Sequence, residues 1–342
     1  MTPSRIREAF QFQSESCASL GSLFMGQLMR LCATKDWPDG AIKTRIFNWQ
    51  GDLGPRAQSV PLRLAGALHA LRLNGHDSLT RVYPPHVTDD NSLWSVVCDA
   101  LRQEATFIGT WIDSAPQTNE VRRSAPLIAL GHWLAGRYDM PLRTSELGAS
   151  GGLNLHWDRY ALEIGDHSFG AGDPAMTLRP EWRGPLPPQT APNVVARAGV
   201  DLNPLDPSDP ADALRLQAYL WPDQPERLAL TRAAIAAAMT QIDQGDAIDW
   251  LAGRLTHTPN TVHLIYSTIA WQYFPVEKQK IGAGMIDAAG AKATMAHPMA
   301  WFSMENDGGT NGAALTVRLW PGNHTVKLGR ADFHGRWVDW NG

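Results

Sequence analysis

Through the first 115 positions, apolar residues recur at three- and four-residue intervals. The run from Gln13 to Phe24, the following MGQLMRLCA and the stretch Pro61–Leu73 all carry this spacing, which turns one face of a helix toward a core. Loops such as Trp37-Pro38-Asp39-Gly40 and Tyr83-Pro84-Pro85 break the pattern, and no strand-like alternation interrupts it. An all-helical N-terminal domain over 1–115 is therefore expected. A further helix, about Arg123 to Arg137, leads into a short strand ending at Glu146.

Beyond that strand the period changes. Tyr160–Ile164 and Asn193–Val200 read as strands around an inserted hairpin or loop, an insertion of about 160–198. Helical spacing returns from Asp209 through Tyr219, again from Glu226 to Met239, and at the end of Asp243–Arg254. Thr261–Tyr266 has the uninterrupted apolar character of a buried strand. A helix near 276–289, a strand at Ala300–Glu305 and a pair, Ala313–Trp320 and His324–Arg330, follow, the pair joined by Pro321-Gly322-Asn323 as a hairpin. Strands alternating with helices predict an α/β fold: a mostly parallel sheet covered on both faces and finished by a C-terminal antiparallel hairpin. This second domain is expected to span 116–342. Ligands in such sheets sit outside the carboxyl ends of the strands.

Length agrees with two domains, since 342 residues exceed the roughly 250–300 at which a single core stops growing. The net charge of −4, with no block of Lys or Arg, argues against nucleic acid and an anionic membrane, and leaves a small-molecule substrate as the default partner. Cys17, Cys32 and Cys98 are few, odd in number and widely spaced, as for reduced buried thiols in a cytoplasmic protein, and they suggest neither a disulfide frame nor a metal site. The polar start MTPSRIREAFQFQ is unlike a signal peptide, and no apolar run approaches the ~20 residues that span a bilayer.

The chemistry concentrates in Ser145-Glu-Leu-Gly-Ala-Ser-Gly-Gly-Leu-Asn154. Gly148-Ala-Ser-Gly-Gly152 spells G-x-S-x-G, the turn that presents a serine nucleophile, here Ser150. Against a serine hydrolase, the residues upstream read as helix and contain no HGGG-type oxyanion loop. Read from Glu146, the same letters form a glycine-rich bend preceded by an acid, where bare backbone can approach a nucleotide-like cofactor. A dinucleotide G-x-G-x-x-G would need glycines at 150 and 153, where Ser150 and Leu153 stand.

Glu146-Leu-Gly-Ala-Ser-Gly-Gly152 resembles the first motif, E-x-G-x-G-x-G, of S-adenosylmethionine-dependent methyltransferases with the Rossmann-like fold, with Ser150 in place of the middle glycine. Gly199-Val-Asp-Leu-Asn-Pro204 is similar to their second-strand segment, Gln244-Gly-Asp-Ala247 to their third-strand acidic turn, and Thr261–Gln272 to their fourth strand and acceptor-facing loop. The resemblance, over roughly 120–342, implies a methyltransferase-type sheet, S-adenosylmethionine as cofactor, and Glu146, Gly148, Ser150, Gly151, Gly152, Asp201 and Asp246 as cofactor-binding residues. Asp201 would hold the ribose and Asp246 the adenine. Asp201 follows Glu146 by 55 residues, against about 20 in the doubly wound pattern, so either the intervening segment is inserted or Glu163, 17 residues on, takes the ribose.

For the methyl acceptor the candidates are Ser267, Trp271 and Tyr273 after the fourth strand, and Asn119 and Glu120 in the polar cluster Gln117, Asn119, Glu120, Arg122, Arg123. Asn154, His156, Asp158 and Arg159 after the turn, and His334 and Arg336 near the end, are weaker candidates with an ordinary surface role as the alternative. Asp246 equally suits a helix N-cap, and Asp201 the cap of the helix that follows its prolines. A non-catalytic protein that binds the same nucleoside-bearing ligand fits the same residues. The whole chain, through Gln117–Ser124, Leu220–Leu228 and His334–Trp340, also resembles a bacterial family of unknown function.

Overall fold

A computed structural model describes residues 4–54, 57–309 and 311–342. The chain divides into two compact units, one of residues 1–118 and 210–229, the other of 119–209 and 230–342.

The first unit holds helices α1 (Arg5–Ser19), α2 (Leu23–Thr34), α3 (Ala41–Phe47), α4 (Val60–Leu73), α5 (Asp77–Val82), α6 (Asp90–Gln103) and α7 (Ala105–Trp111). Helix α4 is buried on nearly every side, as its almost unbroken apolar sequence requires. Two caps show how local chemistry starts these helices: the Ser22 hydroxyl accepts the amide of Met25, and Asp89 accepts those of Asn91 and Ser92. Residues 210–229, read from the sequence as part of the cofactor domain, belong to this unit. Their helix packs Ala218, Tyr219 and partly buried Leu214 and Trp221 into the helical core. The Asp223 carboxylate accepts from the Ser22 hydroxyl (2.6 Å) and the Phe24 amide (3.0 Å), closing the start of α2 from 200 positions away. Cys17 and Cys32 are buried free thiols, and Cys98 is only half-buried. Burial pushes the Cys32 thiol far above its ordinary range.

The second unit begins with α8 (Ser124–Tyr138) and β1 (Leu142–Leu147), and then runs β2 (Ala161–Ile164), β3 (His167–Gly170), β4 (Thr177–Leu178), β5 (Glu181–Arg183) and β6 (Val194–Asp201). After α9 (Pro210–Ala218) and α10 (Pro225–Ala237) come β7 (Asp243–Gln244), α11 (Ala247–Arg254), β8 (Val262–Thr268), α12 (Val276–Gly290), β9 (Met299–Glu305), β10 (Ala313–Trp320), β11 (His324–Ala331) and β12 (Trp337–Trp340). Nine strands form one sheet in the order β5-β12-β11-β10-β9-β8-β1-β6-β7. The run from β9 to β7 is parallel throughout, and β9 to β12 are antiparallel neighbours. The residues read as an insertion form a separate three-stranded sheet, β3-β2-β4, together with β5, which joins the far edge of the large sheet. The segment His334–Trp340 supplies β12 (Trp337–Trp340), a strand that the sequence pattern did not reveal.

Alternation sorts β1 between two environments. Leu147 lies in a core with Val200, Ile265 and the apolar faces of α11 and α12. Between them, β6 and β8 flank β1 on either side, so the chain reverses its direction of strand addition at β1. In an open parallel sheet that reversal leaves a crevice at the carboxyl ends.

No helix among the described residues is long and apolar enough to cross a membrane.

Candidate functional site

A cleft of about 130 Å³ occupies that crevice, lined by Gly148 after β1, Val200, Asp201 and Leu202 at the end of β6, Gly245 to Ile248 at the start of α11, Tyr273, Phe274 and Pro275 between β8 and α12, and Lys278 in the first turn of α12. The floor is apolar, and two carboxylates and an ammonium stand at its wall. Leu202 and Tyr273, each 63% exposed, leave large apolar surfaces at its mouth.

Of the residues the sequence nominated, Gly148, Asp201, Asp246 and Tyr273 come together here from four separate segments. Parallel pairing of β1 with β6 and of β6 with β7 brings them together, with Leu147 opposite Val200 and Asp201 opposite Gln244. The 55 residues between Glu146 and Asp201 are thus spanned by the small sheet. Glu163 sits in that sheet, on β2, with its carboxylate 2.6 Å from Arg179 Nε and outside the cleft.

The two cleft acids are already held by the protein. Asp201 Oδ2 accepts the Ser150 amide (2.8 Å) and Oδ1 the Asn203 amide (3.0 Å), so it fastens the glycine-rich bend. It does not cap the following helix, which starts only at Pro210. Asp246 is an N-cap, accepting from the amides of Ile248 (2.9 Å) and Asp249 (3.1 Å), and its other oxygen lies 3.2 Å from Lys278 Nζ. Partial burial pushes its carboxyl up, but those two amides and the Lys278 ammonium outweigh it and hold the group below the usual range.

The bend itself is less bare than its composition suggests. The amides of Gly148 and Ala149 both donate to the Val200 carbonyl (3.0 Å each). Gly148 has φ +74°, and a Cβ there would stand 2.5 Å from the Ala270 methyl; at Gly152, φ +69°, it would stand 2.5 Å from Ile242 Cδ1. Protein side chains therefore cover both glycines, and only Gly148 reaches the cleft. Gly151 and Gly152 are buried. Ser150 is 5% exposed with φ +55°, and among the described residues its hydroxyl makes no hydrogen bond and no histidine is bonded to it as a base. Glu146 is 1% exposed beneath the bend, where the Tyr266 hydroxyl lies 3.3 Å from its carboxylate and 3.3 Å from the Asn154 carbonyl. Burial drives the Glu146 carboxyl well above its ordinary range, against the pull of Tyr266 and Arg123.

The acceptor candidates divide. Asn119 and Glu120 brace the chain after the bend: Asn119 Oδ1 accepts the Leu153 amide (2.9 Å), the Asn154 side chain donates to the Glu120 carbonyl (3.3 Å), and Glu120 pairs with Arg122 (3.1 Å). Arg123 donates to the carbonyls of Phe333 and Thr268, fastening the last turn of the chain to the end of β8. In that turn Arg336 pairs with Asp332 (2.8 Å), and the amide of His334 donates to the same carboxylate. Trp271 is packed against Trp301 and Phe274. His156 accepts the Met239 amide and is held neutral, its pKa lowered to about 4 by burial and by Arg197 and Arg159, while Asp158 pairs with Arg197 (2.7 Å). Arg159 donates to the Ala237 carbonyl.

Sequence reasoning missed Glu305. From the end of β9 its carboxylate accepts the Ser267 hydroxyl (2.8 Å) and the amides of Ala270 (3.1 Å), Trp271 (3.0 Å) and Gln272 (3.4 Å), fixing the loop that carries Tyr273 to the cleft and Ala270 onto Gly148. Leu202 and Lys278 were missed as well. A lone apolar residue after a strand-end acid, or a lysine in a helix's first turn, carries no signal until the cleft gives it a neighbour.

Among the described residues no group of His, Cys, Asp and Glu could hold a metal ion. The fold and cleft define an α/β protein with a mostly parallel nine-stranded sheet and a crevice at its switch point. Residues 7–340 match the model of a family described as "Uncharacterized protein conserved in bacteria (DUF2332)", and the chain belongs to that family. No curated protein and no solved structure matches it.

Proposed function

We propose that the cleft binds a nucleoside-bearing ligand, S-adenosylmethionine being the first choice, and that the protein is a methyltransferase or close relative of the Rossmann-like class acting on a small molecule. One observation carries this reading: a glycine turn and two strand-end acids, spread over nearly a hundred residues of sequence, converge on one crevice at the switch point. The lining fits such a ligand. Leu202, Ile248 and Phe274 offer apolar faces to a purine, Tyr273 offers an aromatic one, and Asp201, aimed by two main-chain donors, is an acceptor of defined direction for ribose hydroxyls.

Methyl transfer asks chiefly for in-line alignment and needs a base only where the acceptor carries a proton. The engagement of both cleft acids within the protein favours a second reading, a non-catalytic binder of the same ligand. The reading that uses Ser150 as a hydrolytic nucleophile would require a histidine on its hydroxyl, and none is bonded to it.

Calorimetric titration with S-adenosylmethionine and its demethylated product tests the proposal. Saturable binding that Tyr273→Ala weakens by about tenfold, the scale of one lost aromatic stacking contact, is expected. Absence of binding at millimolar ligand overturns it. Turnover of labelled cofactor against a metabolite extract then separates the enzyme from the binder.

A further inference from the structure

At the opposite end of β1 the side chains are basic, and among the described residues no carboxylate forms a salt bridge with them. Arg143 lies beside His263 in the β1–β8 register, and Ser145, two residues on, shares the Arg143 face of the strand. The buried Ser145 hydroxyl is 2.9 Å from His263 Nε2. It also receives long contacts from Arg254 Nε (3.4 Å) and Nη2 (3.3 Å) at the end of α11. Because the guanidinium can only donate, the serine proton points to His263, which is held neutral with its pKa lowered to about 3 by burial and then by Arg143, Arg254 and His257. Arg143 Nη1 donates to the carbonyl and hydroxyl of Thr256.

Two half-buried guanidinium groups thus face the same histidine, and neither forms a salt bridge. Asp243 is the carboxylate that bears on Arg254; it is hydrogen-bonded to Trp250 (2.7 Å) and lies beyond ion-pair reach of the arginine. Partly desolvated like charges without a counterion are costly unless an anion completes them. Arginine's fork of donors suits a tetrahedral oxyanion, with a hydroxyl such as that of Thr256 as an added donor. We propose that Arg143, Arg254 and Thr256 form a phosphate-binding site, taking inorganic phosphate or a phosphomonoester, separated along β1 from the cleft by about 16 Å.

Thermal melting of the full chain tests this, comparing inorganic phosphate and glycerol phosphate with chloride at matched ionic strength. A rise in Tm beyond that in chloride is expected, and whichever phosphate acts at the lower concentration identifies the source. Arg143→Gln and Arg254→Gln should each raise the half-saturating concentration about tenfold, the scale of one charge-assisted hydrogen bond. The proposal is overturned if chloride reproduces the shift, if both variants keep the response, or if Tyr273→Ala abolishes it, which would put the anion in the cleft.

Discussion

The two ends of β1 solve opposite electrostatic problems in opposite ways. At its carboxyl end the acids Asp201, Asp246 and Glu305 are supplied with donors, mostly main-chain amides at the starts of turns and helices. At its amino end Arg254 and His263 share one serine hydroxyl, Arg143 donates to Thr256, and among the described residues no acid forms a salt bridge with either arginine. Parallel strands account for the asymmetry. Their carboxyl ends run into loops and helix N-termini rich in free amides, which donate readily to carboxylates. The other end offers cations no comparable array of carboxylates.

The largest expected effect is at the well-supplied end. Glu305→Leu removes the acceptor for three amides and a hydroxyl, and should destabilise the fold by about 3 kcal/mol in urea unfolding. Glu305→Gln, which keeps one acceptor oxygen, should lose less. Equal loss in the two variants would mean that volume, and not hydrogen bonding, fixes the loop.

Acid and base titrations sharpen the contrast further. Glu146 has a raised pKa in the fold, so the native state keeps a proton that the unfolded chain releases above about pH 4.5. Its contribution to stability is therefore present below that value and fades as pH rises, by up to about 1.4 kcal/mol per pH unit within the window. His263 has a lowered pKa, about 3 against an ordinary 6.5, so its contribution is present above pH 6.5 and fades as pH falls toward 3, at a similar slope. Urea midpoints measured from pH 4 to 8 should show Glu146→Gln gaining on the wild type as pH rises, and His263→Asn gaining on it as pH falls. Parallel curves for either variant would contradict the assigned protonation state.

The smallest effect is that of Asp246→Ala, which should lower stability by about 1 kcal/mol through the lost N-cap of α11. It should also weaken binding in the cleft if Asp246 contacts the ligand. Stability loss with unchanged affinity would leave Asp246 a cap alone.

The periodicity of apolar residues was enough to separate the helical stretch from the α/β region, and to mark the strands at 142–147, 194–201, 262–268 and 299–305 closely. Short strands such as Asp243–Gln244 and Trp337–Trp340 carry too few residues to show an alternation, and they exist because a neighbouring edge offers them hydrogen bonds. Helix α9 has an apolar stripe that fits either unit equally well as a pattern; only the shape of the helical core claims it. The glycine bend was legible as a turn, because positive φ at 148 and 152 demands glycine, but its coverage by Ala270 and Ile242 depends on residues roughly 90 to 120 positions away.

What the sequence determined by itself is what local spacing can encode: helix faces, buried strands, caps, the tight bend and the absence of a strong charge. Tertiary structure decided which acids meet at the cleft, which of them were already engaged, and that Arg143 and Arg254, from distant segments, both bear on His263. Those outcomes depend on strand register and on desolvation, and both are set by pairing across the sheet, which no local window of sequence contains.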